Sequence, residues 1–335
     1  MQAILYKAFG GPEVLYMEEV PTPVPGEEEI LVKVLYAGIN RADILQRKGH
    51  YPPPPGSSPI LGLEVSGIVE QVGERVDRWK PGDRVCALLS GGGYAEYAVI
   101  HQRMVMPVPP GVSLQEAAAI PEAFLTGYQA LFWIGNLQSG QWVLIHAGGS
   151  GVGTASIQLA REAGAYIVVT AGSENKLAVC RELGAELAIN YKIGPFASPV
   201  LEHTGTRGVD VILDFVGQPY WEQNLAVLAP DGILVILSLL GGSKIENFDL
   251  SILMKKRLRI QATTLRNRSP EYKMKLTEEF SRFALKRFTT GQLKAVIDRV
   301  FPWEQVAEAH RYMEANRNTG KILLQVSRGN LHNRE

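Results

Sequence analysis

The run Val143-Leu144-Ile145-His146-Ala147-Gly148-Gly149-Ser150-Gly151-Val152-Gly153 sets an apolar strand, a glycine-rich turn and a helix start in immediate succession. Its chemistry is anion binding: small residues let the backbone approach a pyrophosphate, whose charge rests on the first amides of the helix. Gly148 and Gly153 occupy the outer positions of a G-x-G-x-x-G pattern, with Ser150 where the middle glycine belongs. The competing reading is a tight strand-to-helix turn with no ligand, and the strand–turn–helix context weighs against it. The next strand end, Val169-Thr170-Ala171-Gly172-Ser173, carries no acid to bind a ribose 2′-hydroxyl. Ser173 with Lys176 one turn later suits a 2′-phosphate, so the pattern favours NADPH. Glu174 is discordant, since a carboxylate aimed at the ribose would favour NADH. Lys176 also has a plainer reading as a solvated lysine.

These loops need elements to hold them. From Gly140 strands alternate with helical segments, and the strands are expected at Trp142–His146, Tyr166–Ala171, Leu187–Asn190, Val209–Asp214, Ile233–Ser238 and Ile260–Thr263. Helices are expected over Val152 to Glu162 and Asn175 to Leu183, the second stopped by Gly184. Near-continuous apolar strands with crossover helices predict an α/β unit built on a doubly wound six-stranded parallel sheet. The N-terminal third reads instead as a β-rich, barrel-like unit, with strands around Ala3–Tyr6, Ile30–Val34, Val65–Val69, Val85–Leu88 and Tyr94–Val99. Tyr51 precedes Pro52-Pro53-Pro54-Pro55-Gly56, a stiff loop without backbone donors. Near the C-terminus, Glu271 to Arg287 and Trp303 to Ala315 look helical, and Lys321 to Val326 reads as a strand returning to the N-terminal unit. Ser327 to Glu335 is polar and expected to be loose.

Composition limits the function classes. The 335 residues carry 34 Lys+Arg against 34 Asp+Glu, a balance that disfavours a nucleic-acid-wrapping or polybasic membrane protein. With 46% hydrophobic and 20% charged residues, the chain can bury sizeable cores in about two domains. The longest apolar stretch, Gly232 to Leu240, is too short to span a membrane, and the N-terminus has no secretory pattern. Cys86 and Cys180 are too few for a disulfide framework and form no C-x-x-C pair, which fits a reducing compartment such as the cytoplasm.

Residues spread along the chain carry a resemblance. Asn40-Arg41-Ala42-Asp43, Gly62-Leu63-Glu64-Val65-Ser66-Gly67, Pro81-Gly82-Asp83-Arg84-Val85, Ala117-Ala118-Ala119-Ile120-Pro121, Thr126, the Gly148 to Gly153 turn, Asn190-Tyr191 and Gly320-Lys321 are among them. Through these residues the chain resembles the zinc-free, zeta-crystallin-like quinone oxidoreductases of the medium-chain dehydrogenase/reductase superfamily. The Tyr51 to Gly56 loop and the His146 to Gly153 variant look most like the stress-inducible NADPH quinone oxidoreductase subgroup. The resemblance implies a GroES-like β-rich catalytic domain over 1–122 and 266–335, a Rossmann NADPH-binding domain over 123–265, and a homodimer. Against the zinc alcohol dehydrogenases of that superfamily, Asn40 stands where the first cysteine ligand would be and Leu63 where the histidine would be. No metal is therefore expected, and Glu64 reads as a structural hydrogen-bonding residue.

Without a metal to polarise an alcohol, the fitting chemistry is hydride delivery to an electrophilic acceptor, a quinone or an enal or enone. By resemblance, the nicotinamide is expected between the two domains, near Asn40, Thr126, Thr264 and Leu265. The phosphates are expected at Gly151, Val152, Ser173, Lys176 and Tyr191, with Arg317 a further partner. Phe215, Val216, Ser238 and Leu240 lie at strand ends where such ligands bind. Tyr51 and Asn40 are candidates for acceptor contact, and Ser150 for contact with cofactor or acceptor; Tyr51 also reads as surface packing. Asp43 is structural by default, and His146 is expected to be satisfied by backbone. Lys255 to Lys275 holds eight Lys or Arg against Glu271 alone. An RNA-binding patch is the sharp reading of that run, and a solvated or cofactor-edge face around the sixth strand, with Arg266 or Arg268 flanking the cofactor cleft, is the favoured one.

Overall fold

The computed structural model describes residues 1–246 and 248–326, so the tail Ser327 to Glu335 lies outside the described residues. Two units emerge: Met1–Leu125 together with the chain from Arg266 onward, and Thr126–Leu265.

In the first unit, β1 (Gln2–Tyr6) pairs with β2 (Leu15–Glu19). There follow β3 (Glu29–Ile39), α1 (Arg41–Arg47), β4 (Glu64–Val72), β5 (Arg84–Leu88), β6 (Tyr97–His101), β7 (Val105–Pro107), α2 (Leu114–Ala117) and α3 (Pro121–Tyr128). The chain passes into the second unit within α3. β3 and β4 approach so closely that a Cβ on Gly67 would lie 2.0 Å from the Lys33 carbonyl, which explains a glycine in mid-strand.

The second unit runs β8 (Trp142–Ile145), α4 (Gly151–Glu162), β9 (Tyr166–Ala171), α5 (Glu174–Leu183), β10 (Leu187–Asn190), α6 (Ala197–His203), β11 (Val209–Asp214), α7 (Trp221–Val227), β12 (Leu228–Ile236), α8 (Ser251–Lys256) and β13 (Arg259–Ala262). These strands form a parallel sheet in the order β10-β9-β8-β11-β12-β13, so all six carboxyl ends share one edge. The order reverses between β8 and β11, the switch point at which such sheets bind ligands. Val143, Leu144 and Ile145 are fully buried, as a strand covered on both faces requires. Gly184 ends α5 at φ 119°, a conformation that favours glycine.

The return to the first unit consists of α9 (Pro270–Thr289), β14 (Ile297–Pro302), α10 (Val306–Glu314) and β15 (Lys321–Gln325). β15 pairs antiparallel with β3, with Ile322 opposite Ile39 and Leu324 opposite Ala37. The unit's larger sheet has the order β14-β15-β3-β4-β5-β7, with β6 added on β3.

Among the elements that escaped the sequence reading are β2, β7 and α1. β2 and β7 are short, and β2 is mostly exposed, so neither shows an apolar alternation. α1 buries Asp43, Gln46 and Arg47 alongside Ile44, so its inward face is polar and carries no apolar period. All four residues of β13 are exposed, because it is the sheet's edge. Among the described residues no helix is long and apolar enough to cross a membrane.

Candidate functional site

The second unit gathers its predicted residues along the carboxyl edge of the sheet. Ala147 turns at φ 50°, Ser150 caps α4 by accepting from the Gly153 amide at 2.9 Å, and Gly153 packs so tightly that a Cβ would lie 2.3 Å from the Ala147 carbonyl. Gly148 sits on Cys180 and Val169 with somewhat more room, a Cβ there lying 3.0 Å from each. The outer glycines are thus required by the turn's own packing, and Ser150 Oγ works as a helix cap. The amides of Gly151 and Val152, at the start of α4, have no intrahelical acceptor to use and are the ones suited to a phosphate.

Lys176 lays its stem on this turn, its Cβ, Cγ and Cδ all 3.0 Å from where a Gly149 Cβ would be. The Tyr191 hydroxyl lies 2.6 Å from the corresponding point on Gly172, directly before Ser173. Glu174, the discordant acid, is exposed and paired with Arg181. Ser173, Lys176 and Tyr191 therefore crowd the end of β9 without a competing carboxylate from Glu174. The loops after β11 and β12 are zipped together: Leu240 N donates to Phe215 O at 3.2 Å and Gly241 N to Val216 O at 2.8 Å, with Ser238 between them half-buried. Thr264 is exposed and Leu265 buried at the end of β13, and Thr126 Oγ1 is buried without a hydrogen-bond partner. That orphaned hydroxyl, with the helix amides and the Lys176 cradle, fits a nicotinamide dinucleotide.

His146 corrects its expectation. Its ring is satisfied by side chains: Nδ1 lies 2.8 Å from Thr170 Oγ1 and Nε2 lies 2.7 Å from Asn224 Oδ1. Asn224 donates from Nδ2 to Asp214 Oδ2 at 3.2 Å, and Asp214 Oδ1 accepts from the Val216 amide at 2.7 Å. Because Asn224 uses its amide hydrogens on Asp214, its oxygen accepts from His146 Nε2, and Nδ1 accepts from Thr170. All four side chains are fully buried. Burial pushes the imidazole down to about 4, so it stays neutral at neutral pH.

The first unit holds a second constellation. Lys321 Nζ donates to Asn40 Oδ1 at 2.6 Å and to Ile39 O at 3.2 Å, and pairs with Glu64 Oε1 at 2.5 Å. Glu64 also accepts from Asn40 Nδ2 at 3.0 Å and, through Oε2, from the Glu122 amide at 2.8 Å. A Cβ on Gly38 would overlap this carboxylate, 2.1 Å from Oε1. Asn40 therefore has both ends of its side chain committed within the cluster, which limits it to positioning. Asp43 is fully buried, accepts from the Asn40 and Gly62 amides at 2.8 and 3.0 Å, and is pushed up to about 6 by burial. A further chain supports it: Tyr94 donates to Asp43 at 3.3 Å, His310 Nε2 lies 3.2 Å from Tyr94, and fully buried Arg47 donates to His310 Nδ1 at 3.0 Å. Burial pushes the Glu122 carboxyl up to about 8, and its Oε2 has no partner.

Tyr51 is half-buried, with the Arg266 guanidinium 5.5 Å from its ring centre. Arg317 lies over the Tyr312 ring at 6.0 Å. The basic segment is not one patch, since the division between the units falls within it. In the second unit Lys256 donates to the Leu225, Ala226 and Leu228 carbonyls and Arg257 pairs with Asp231. In the first, Arg266 and Lys273 are buried. Sequence reasoning placed Arg266 only as a flank of the cofactor cleft and Lys321 only among the residues of the resemblance, and missed Glu122 and the Arg47–His310 pair as site residues. Buried charge was their only signal, and charge in a sequence reads as surface.

The donor set does not fit a zinc ion. Leu63 is buried and apolar, Asn40 is occupied, and an ammonium already stands against Glu64. The described residues contain no group of three His, Cys, Asp or Glu placed to hold a metal.

Two family descriptions match the chain: an alcohol dehydrogenase GroES-like domain over residues 26–110 and a zinc-binding dehydrogenase over residues 151–282. A quinone oxidoreductase of Lama guanicoe is 33% identical, covering 97% of each chain. The crystal structure of Escherichia coli quinone oxidoreductase complexed with NADPH is 30% identical, at a TM-score of 0.86 over 97% of this chain and 100% of that one. That of the CurK enoyl reductase is 29% identical, at a TM-score of 0.85 over 97% and 98%.

The His146 network has a measurable pH signature. An imidazole held at about 4 when folded and near 6.5 when unfolded binds its proton only in the unfolded chain between those values, so its contribution to stability is present above pH 6.5 and lost as pH falls. Asp43 and Glu122, both shifted upward, act in the opposite sense, so the comparison must be with a variant. Relative to His146→Gln, the native protein is expected to lose about 3 kcal/mol between pH 7 and pH 4 in denaturant titrations. Parallel curves for the two proteins would show that His146 is not a buried neutral ring.

Proposed function

The chain belongs to the quinone oxidoreductase family of the medium-chain dehydrogenase/reductase superfamily, and on that premise we propose that it reduces quinones with NADPH, without a metal. The observation that carries the choice of NADPH is the end of β9: Ser173, Lys176 and Tyr191 stand together while Glu174 is turned to Arg181. When bound, the reduced nicotinamide supplies a hydride. In this reading the Gly151 and Val152 amides hold the pyrophosphate at the start of α4, beside the turn formed by Gly148, Ser150 and Gly153. Ser173, Lys176 and Tyr191 hold the 2′-phosphate, with Arg317 a further phosphate partner. Phe215, Val216, Ser238, Leu240, Thr264, Leu265 and Thr126 line the remainder of the cofactor, and Asn40 positions from within its cluster.

The acceptor is a flat, conjugated carbonyl compound, for which the Tyr51 ring offers a stacking face. No alcohol need be ionised, so what the protein must supply is position and a donor at the oxygen that gains charge. A second reading, reduction of the carbon–carbon double bond of an enal or enone, is favoured by the similarity to an enoyl reductase. RNA binding is the weaker alternative, because Lys256, Arg266 and Lys273 are engaged inside the fold and Arg257 is paired with Asp231 at the surface. Two buried free thiols, Cys86 and Cys180, support a reducing compartment, the cytoplasm, in this reading.

A homodimer completes the proposal. The edge strand β13 exposes all four of its residues, and Leu250 and Met254 beside it are 64% and 82% exposed. A second copy of the same edge, related by a two-fold axis, would pair antiparallel with it and cover these side chains. Sedimentation is expected to give a dimer, with Ile260→Glu combined with Met254→Glu giving monomer; a monomeric native protein refutes the assignment.

Parallel assays of quinones and enones with NADPH, and NADH as control, test the activity. Quinone turnover is expected, enone-only turnover promotes the second reading, and tight NADPH binding with no oxidation of either rejects both. Lys176→Ala is expected to weaken NADPH at least about tenfold while leaving NADH nearly unchanged, the loss of one charge-assisted contact. Equal losses for the two cofactors would remove Lys176 from the 2′-phosphate.

A further inference from the structure

Arg266 opens the return of the chain to the first unit and is only 3% exposed. Its Nε donates to Ser90 O at 2.9 Å and its Nη1 reaches Tyr51 O at 3.5 Å. The third nitrogen, Nη2, is buried without a partner. It lies 3.4 Å from the point where a Cβ on Gly91 would stand, so a side chain at Gly91 would rest against this nitrogen. Lys273, 5% exposed, brings a second buried cation to the same loop through Ser90 Oγ at 2.7 Å.

An unsatisfied guanidinium nitrogen is costly to bury, and one held by two of its three nitrogens and stacked on an aromatic ring is fixed in direction. The charge balance sharpens the point. Lys321, Arg266 and Lys273 face the carboxyl groups of Glu64, Asp43 and Glu122 in this unit, and Glu122, pushed up to about 8, is mostly protonated at neutral pH. The upward shift of Glu122 lowers the carboxylate charge facing these cations beside the orphaned donor.

We propose that Arg266 Nη2 is the donor that receives the oxygen on which negative charge develops when a conjugated carbonyl acceptor is reduced, with Lys273 adding to the field and Tyr51 forming the ring face. This rests on the reductase reading and extends it to the acceptor. As the hydride and its electron pair add to the acceptor, the carbonyl π bond shifts its electrons onto oxygen. That oxygen becomes a phenolate or enolate, which Arg266 stabilises until it takes a proton from water, and the cofactor leaves oxidised. The preferred ligands are therefore acceptors whose product is a delocalised oxyanion, and planar phenolates should bind as mimics of that product.

The test uses 4-nitrophenolate as the probe, its binding followed by its visible absorption, with neutral nitrobenzene, which lacks the oxyanion, as the control. The native protein is expected to bind the phenolate at least about tenfold more tightly than nitrobenzene, and Arg266→Lys, which keeps the charge but loses the planar fork, to lose most of that preference. In the same variant kcat for quinones should fall at least tenfold, with KM changing less. Equal binding of the two probes by the native protein overturns the inference without relying on any variant. So does unchanged quinone turnover in a folded Arg266→Lys protein, and the reductase reading then stands alone. A phenolate preference that depends on Arg266 in a protein that reduces no acceptor would keep the anion site and remove the reductase reading.

Discussion

One ammonium group, Lys321 Nζ, holds the first unit's polar centre together. It is almost fully buried and meets Glu64, Asn40 and the Ile39 carbonyl at hydrogen-bonding distance. Those partners come from β4 and the junction of β3 with α1, while Lys321 itself opens β15. Glu64 then reaches the Glu122 amide at the start of α3, so a single ion pair sets four segments in register. Buried ion pairs add little net stability over an apolar core of the same shape, and removing one partner typically costs about 3–5 kcal/mol because the other charge is stranded. Their value here is positional. With Lys321 in place, Asn40 cannot rotate, Gly38 must lack a side chain, and α1 begins where Asp43 can accept from the Asn40 amide.

The second unit solves a similar problem without a buried ion pair. Thr170, His146, Asn224 and Asp214 form a chain of hydrogen bonds that ties the end of β9 to the turns after β8 and β11. Each member has a fixed donor or acceptor role, so the chain has one arrangement. Nucleotide binding at the carboxyl edge then draws on backbone amides whose directions the network has already set, which lowers the ordering required of a ligand.

The fold was legible wherever burial wrote itself as apolar periodicity. The inner strands of the second unit, the Gly148 to Gly153 turn and the return of β15 all follow from apolar runs rich in Val, Ile and Leu and broken by glycine. The site was legible in part. Ser173 at the start of α5, Lys176 in its first turn and Tyr191 just after β10 are residue types suited to an anion, and Lys176 and Tyr191 pack on Gly149 and Gly172. Asn40 was visible as a site residue, yet its side chain faces Lys321 and Glu64, which no local pattern could reveal because those partners are 281 and 24 residues away. α1 was missed for the same reason. Its inward face is made of Asp43, Gln46 and Arg47, whose burial depends on partners distant in the chain. Ser150 was read from its place in the loop, and its oxygen turned out to cap the helix.

The central claim is that an ammonium stands against Glu64 and Asn40 and leaves no vacancy for a metal. Its most direct test is the metal content of purified, turnover-competent protein, measured by mass spectrometry beside its activity before and after dialysis against a chelator. The account predicts no stoichiometric zinc and unchanged turnover. One zinc per chain that leaves together with the activity would contradict it.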